Sequence, residues 1–409
     1  MNNNYFNLED SIYEITEKYP YTIDLFASIG FENIKEDSVR KTLGKAITLK
    51  QALNIKKINE ESFLERLVNE IDSNINNADK SLSNINKNEK ANIKIQGLLP
   101  CPIRIPLMEE FNKFIEENSD VDKESIEVNL QAASMGIDFI KEKVEKGETE
   151  DDLADIFISA GFDFFFDKNL MGKFKKQKVF KDITGFKKLN KDLDNQDISL
   201  KDPDGEYSMI GVVPAVFLIN KEELNGRQMP LSYKDILNKE FENSVGLPIG
   251  DFDLFNAILL NIYKNYGEEG VRKLKKSLFK GMHPSEMVKS HIKKGAKPAV
   301  TIMPYFFTKM TKMEGPMTAV WPKDGAIISP IFMLSKKSKE KSLKPLVDFF
   351  SSKAVGEILT HNGRFPSVNP EVDNMLSPEQ KFMWLGWDYI KNNDIGALIK
   401  NCENMFNQE

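Results

Sequence analysis

Cysteine, histidine and tryptophan are scarce in this chain, with two, three and three residues among 409. Two cysteines, Cys101 and Cys402, cannot build a disulfide framework, and nothing in sequence brings them together; a reducing compartment is the expectation. His283, His291 and His361 are scattered, without the His-x-x-x-His spacing or the carboxylate cluster that a zinc enzyme needs. No window approaches about 18 consecutive apolar residues, so no transmembrane helix and no membrane insertion are expected. Acids and bases are interspersed around a net charge of -6, which lacks the basic face of a nucleic-acid binder. Met1 to Pro20 has neither a basic n-region nor an apolar h-region, and the expected location is cytoplasmic. There is no P-loop, no G-x-G-x-x-G and no G-x-S-x-G; Gly44-Lys45 and Gly172-Lys173 lack the preceding glycine spacing. No cofactor and no catalytic triad are expected.

What is present divides into parts. Residues 1–72 read as a small helical domain. Ser11 and Glu14 stand at capping-box spacing, Gly30 suits a helix stop, Thr48 suits a cap, and Glu60 to Ile71 repeats Phe63, Leu64, Leu67, Val68 and Ile71 at helical period. Another protein is the partner expected for residues 8–72. Residues 73–91, rich in Asn, Ser and Lys, read as a flexible linker.

From Asn92 the pattern is α/β. Ile93–Leu99, Ile126–Ala132 and Leu153–Ser159 read as strands separated by helices, one expected from Pro106 and one over Ile137–Lys146. That alternation predicts a parallel sheet whose ligands collect at the carboxyl ends of its strands. Those ends hold Cys101, Arg104, Ser134, Met135, Ser159 and Gly161. Phe162 to Phe166 reads as core or cleft wall. Two strongly apolar strands each carry an internal proline: Ser208 to Ile219 with Pro214, and Ala326 to Leu334 with Pro330. Proline cannot donate to a ladder, so each strand bends or changes partners there. Between them lies a second α/β region with strands at Ser244–Leu247, Ala299–Met303 and Met317–Trp321. Helices are expected at Phe252–Tyr266, from Ser285 to Lys294 capped by Ser285, at Lys344–Leu359 and at Ser377–Ile390.

The first part resembles a small helical domain of unknown function found in bacterial proteins with redox or iron-sulfur associations. The matching residues are Glu17-Lys18-Tyr19-Pro20, Ile29-Gly30-Phe31 and Arg40-Lys41-Thr42-Leu43-Gly44. Many members carry a cysteine pair after the Gly-Phe; Glu32-Asn33-Ile34-Lys35 stands there instead, which favours a docking module. Residues 92–409 resemble an ABC-transporter substrate-binding protein of the type-2 periplasmic binding fold, iron(III)-type branch. The resemblance rests on Val212-Val213-Pro214-Ala215, on Trp321-Pro322-Lys323-Asp324-Gly325 and on Gly363-Arg364-Phe365-Pro366.

It implies two lobes, 92–212 with 326–409 and 213–325, closing on a small polar solute such as a metal complex or oxyanion. The binding residues it points to are Cys101, Arg104, Ser134, Met135, Ser159, Gly161, Pro214, Gly250, Asp251, Met303, Tyr305, Trp321 and Asp324. Members of this branch hold ferric ion with adjacent tyrosines; here Tyr305 is followed by Phe306 and Phe307. Asp251 and Asp253 also suit helix caps. The Met-rich patch Lys309 to Met313 with Met317 suits packing or a soft metal. Two other readings stand beside an intracellular sensor or carrier: an enzyme of cofactor or sulfur metabolism with Cys101 as nucleophile, and a regulatory scaffold whose cleft is vestigial.

Overall fold

A computed structural model of the chain describes residues 6–19, 22–56, 58, 60–75, 91–119, 121–133, 138–292, 294–311 and 315–408. The helical unit contains α1 (Ile12–Lys18), α2 (Ile23–Ser28), α3 (Asp37–Val39), α4 (Leu49–Ile55) and α5 (Glu60–Ile75). Its starts are set locally. The Ser11 hydroxyl accepts from the Glu14 N–H at 3.1 Å while the Glu14 carboxylate accepts from the Ser11 N–H at 2.8 Å. Thr48 and Gln51 repeat the arrangement at α4. Phe26, Leu49, Phe63, Leu67 and Ile71 form a core separate from that of the rest of the chain. Most of the expected linker lies outside the described residues, and Ser73 to Ile75 belong to α5.

The remainder is built on one mixed sheet. Its strands are β1 (Ile93–Leu99), β2 (Ile126–Ala132), β3 (Ile156–Ala160), β4 (Ser208–Asn220), β5 (Val245–Leu247), β6 (Leu278–Gly281), β7 (Val300–Pro304), β8 (Met317–Val320), β9 (Ala326–Ser335) and β10 (Phe382–Met383). The order is β2-β1-β3-β9-β4-β7-β5-β6, with β8 on β4 and β10 on β9. β1 runs parallel to β2 and β3, and β5 parallel to β6 and β7, so each half carries a parallel set. β4 and β9 are antiparallel to each other and join the halves. Every residue of both is buried.

The two prolines mark where these strands change neighbours. β4 pairs with β9 up to Ala215, and its pairing with β7 begins at Ala215. β9 pairs with β3 as far as Ile331, and Pro330 lies one residue beyond. Each proline therefore sits where one flank of its strand has no ladder partner to receive an N–H, and the missing donor costs little.

The helices are α6 (Cys101–Glu117), α7 (Asp138–Lys146), α8 (Asp163–Phe166), α9 (Met171–Lys176), α10 (Tyr233–Ile236), α11 (Phe252–Ser277), α12 (Pro284–Met287), α13 (Glu340–Phe350), α14 (Lys353–Glu357), α15 (Trp387–Asn392) and α16 (Ile395–Asn407). No helix among the described residues is long and apolar enough to cross a membrane.

Several boundaries differ from expectation. α6 begins at Cys101 rather than at Pro106, because Pro102 takes the N-terminal turn, where its missing N–H is an orphan anyway. Gly267, with φ 65°, breaks α11 as expected, but helix resumes to Ser277. His283, not Ser285, caps α12, which ends at Met287. The helix expected over Lys344–Leu359 begins at Glu340, stops at Phe350, and restarts from its own cap, Ser352. Over Ser377–Ile390 the chain is not a single helix: Phe382 and Met383 add a short strand to β9, and helix starts only at Trp387.

Under β3 a charge is fully enclosed. Lys336 Nζ lies 3.0 Å from Asp155 Oδ1 and donates to the Leu153 carbonyl at 3.0 Å. Asp155 Oδ2 accepts from the Lys94 N–H at 2.8 Å, and Lys339 approaches Oδ1 at 3.1 Å.

Candidate functional site

The end of β3 meets the start of α11. Gly161 follows β3 with φ 108°, and a Cβ there would stand 2.4 Å from Asp253 Oδ1. Only glycine allows this close approach of the β3 end to the first turn of α11. Asp251 caps that helix, its Oδ1 accepting from the Leu254 N–H at 3.3 Å. Burial pushes the Asp251 carboxyl up to about 6. Burial, with Asp163 and Asp251 nearby, holds the Asp253 carboxyl well above the usual carboxylate range. Three acids thus gather at one edge of the β3 end, with Lys141 3.7 Å from Asp163. Gly250 is in the turn before the cap.

On the far half-sheet, β7 ends at Pro304 and runs into the 3-10 segment Tyr305–Met310. The Tyr305 ring meets Trp321 edge-on at 5.2 Å, and Trp321 meets Phe382 at 5.5 Å. The Trp321 indole N–H donates to the Lys381 carbonyl at 2.6 Å. Arg364 reaches over from the segment after α14, with its guanidinium 4.9 Å from the Tyr305 ring centre. Its Nη1 donates to Thr308 Oγ1 at 2.6 Å. Lys309 Nζ donates to the carbonyls of His361 at 2.6 Å and Asn362 at 3.0 Å. These contacts join the β7 end to the chain around Gly363. A Cβ on Gly363 would lie 2.6 Å from Ile103 Cγ2, in the first turn of α6.

The other expected residues are placed as follows. Arg104 is buried one turn into α6, and its Nε donates to the Leu130 carbonyl at 3.1 Å. Burial lowers the pKa of its guanidinium, and the charge of Glu70 in α5 works against that shift. Cys101 opens α6. Ser159 is buried, and its hydroxyl donates to the Ala160 carbonyl. Pro214 lies on the crossing strand. Met303 is fully buried with Leu218, Met282, Met287 and Met317, so it packs the far half-sheet rather than lining a cleft. Asp324 holds a turn: its Oδ2 accepts from the Tyr233 N–H at 2.8 Å and the Tyr266 hydroxyl at 3.3 Å. Ser134 and Met135 lie outside the described residues. Phe162, Phe164 and Phe165 are core. The sequence alone does not bring Arg364, Lys309 and Thr308 together. No signal along the chain could have joined them, since Lys309 and Arg364 meet only through the fold.

Among the described residues no three His, Cys, Asp or Glu side chains are grouped to hold a metal ion. Two surface hollows, about 620 and 660 Å³, lie elsewhere. One runs along Lys201, Lys264 and Trp387, the other between Phe114 and Phe349.

Two family descriptions match the chain. Residues 151–393 match "Bacterial extracellular solute-binding protein", and residues 6–64 match a domain of unknown function, DUF1858. The chain belongs to the bacterial extracellular solute-binding proteins. This solute-binding protein shares its fold with solved structures. One is a ferric binding protein from Campylobacter jejuni, 16% identical with a TM-score of 0.54, covering 77% of this chain and 98% of that one. A Trichodesmium protein, solved in complex with iron and citrate ligands, is 10% identical with a TM-score of 0.54, covering 76% and 97%. An ABC transporter structure from Clostridium perfringens is 16% identical with a TM-score of 0.51, covering 77% and 100%. No curated protein matches the chain. The two-lobed fold is thereby established, with β4 and β9 as its crossings.

Proposed function

We propose that this solute-binding protein captures a small polar solute between its lobes, as a carrier or sensor inside the cell. The solute is an oxyanion or a metal complex rather than a bare ferric ion. The observation that carries this reading is the meeting of Tyr305 and Trp321, from the far half-sheet, with Arg364 from the near one. A ligand there touches both lobes only when they are shut, so binding shifts the population toward the closed form. The donor set argues against a naked hard cation. Tyr305 offers one phenol, Phe306 and Phe307 offer none, and a guanidinium stands over the phenol ring. The intracellular setting is supported by Cys402, a fully buried free thiol. The residues matching the DUF1858 domain supply a docking module for a protein partner.

Thermal-shift measurements with phosphate, sulfate, thiosulfate, citrate and ferric citrate test the binding role. A stabilising solute that is not turned over supports it. Turnover that vanishes in Cys101→Ala would replace it with an enzyme. No shift with any solute overturns it. Fractionation of native cells tests the location, and a processed, exported form overturns the intracellular proposal.

A further inference from the structure

Where the end of β3 meets α11, acids from the two half-sheets face each other. Asp163 opens α8 just after β3, and Asp253 lies in the first turn of α11, which follows β5. A Cβ on Gly161 would stand 2.4 Å from Asp253 Oδ1 and 3.6 Å from Asp163 Oδ1. That places the two carboxyls within about 6 Å of each other, a range in which like charges disfavour joint ionisation. The surrounding groups leave most of that repulsion in place. From α7, Lys141 comes within 3.7 Å of Asp163 Oδ2, and both side chains are partly open to solvent. From α16, Glu403 adds another carboxyl, raised by burial and by the Asp163 charge. Lys400 on the same helix lies 3.5 Å from Asp167. On α11 itself, Asp251 accepts from the Leu254 N–H. Asp253 is half-buried, and among the described residues no donor reaches its carboxylate. Two carboxyls in such a contact hold together when they share a proton and repel when both are ionised.

We propose that Asp163 and Asp253 form a proton-operated latch, which takes up one proton when the end of β3 meets α11 and releases it when the two part. The proton comes from solvent and returns to it, and only an O–H bond is made or broken. The latch goes beyond the solute-binding reading: it stands on the two-lobed fold and needs no ligand. The sign follows from linkage. The shared proton is held more tightly in the closed contact than by two separated carboxyls. Closure is therefore favoured at lower pH, and the contact weakens as pH rises through the closed-state value. Gly161 is what makes the latch short enough, since any side chain there would hold Asp253 away.

The test is hydrogen exchange on the full chain without solute, read by mass spectrometry for peptides covering residues 156–166 and 249–256. Rates are corrected for the intrinsic pH dependence of amide exchange. In the wild type, protection of both peptides falls together from about pH 5 to about pH 8, by at most roughly tenfold per pH unit, the limit for one proton. Peptides from the β4–β9 crossing keep their protection, which separates the latch from global unfolding. In Asp253→Asn the neutral amide can donate to Asp163, so protection stays high and loses its pH dependence. Asp163→Asn reduces that dependence from the other side, and serves alone if Asp253→Asn does not melt close to wild type. Glu403→Gln leaves the fall in place. Protection independent of pH in the wild type overturns the latch. So does an unchanged fall in the Asp163→Asn/Asp253→Asn double variant, or a fall abolished by Glu403→Gln, which would put the proton elsewhere. None of these outcomes decides whether a solute binds.

Discussion

Two sets of cations, one buried under β3 and one at the lobe junction, are partnered in opposite ways. Lys336 is matched by Asp155 at 3.0 Å, and the remaining carboxylate oxygen takes a peptide N–H. Arg364 and Lys309 are matched by a hydroxyl, a ring and carbonyls. The first arrangement is closed: every strong group has found its complement, and nothing could be added. The second is open to a stronger partner. Complementarity within the chain marks a charge that serves the fold. Its shortfall leaves a charge able to take a further partner.

Substitutions can break or sharpen that contrast. The largest effect is expected from Asp155→Ala. It leaves Lys336 buried without its anion and should cost about 3–5 kcal/mol, read as a lowered midpoint in urea unfolding. Gly97→Ala comes next. An added Cβ would stand 1.7 Å from the Ile158 carbonyl oxygen, so the β1–β3 ladder must part; roughly 1–3 kcal/mol is expected from such overpacking, in the same assay. This loss involves no charge and calibrates the first.

The third is a pH effect. The native pKa of Asp251 is raised to about 6, above the ordinary 3.8, by burial. Its contribution is therefore fully present below pH 3.8 and is lost as pH rises through about 6. Asp253 and Asp163 face the same space, and the raised Asp253 carboxyl acts in the same sense. Asp251→Asn keeps a capping oxygen and removes the titration. Its stability relative to wild type should rise between pH 4 and pH 7 by an amount of the order of 1 kcal/mol. A constant difference across that range would show that Asp251 does not titrate there. The smallest effect is expected from Arg364→Gly. Release of the left-handed strain at Arg364, φ 48°, offsets the lost hydrogen bond, leaving the unfolding free energy within about 1 kcal/mol of wild type. A destabilisation as large as that of Asp155→Ala would erase the contrast and make Arg364 a structural residue.

Much of the fold could be read in advance because it is written locally. Alternating apolar strands and helices mark both half-sheets, and Pro214 and Pro330 mark the strands that join them. Local signals also misled. Pro106 looked like a helix start although Pro102 already provides one. Phe382 and Leu385 stand three residues apart, as on one helix face, but contacts with Trp321 and pairing with Ala326 and Ile327 hold Phe382 and Met383 extended. The site was less legible. Tyr305, Trp321 and Gly161 could be placed at strand ends by topology. Asp253 was visible only as a possible cap, and Met303 proved to be packing. Arg364 and Lys309 come from different lobes, and no periodicity records a meeting made by the closing of two bodies.

The register of the crossings also governs how the molecule is assembled in time. β3 at residues 156–160 finds its antiparallel neighbour only at residues 331–335, and the Ser208 hydroxyl reaches the Met333 carbonyl at 2.7 Å. The near half-sheet is therefore unfinished until the far one has been synthesised. Loop closure over so long a separation is slow, and an apolar edge waits meanwhile. A nascent chain lacking β9 presents the open flanks of β3 and β4 as templates for a neighbour's strand. Aggregation during synthesis, more than unfolding afterwards, is the hazard that this topology sets.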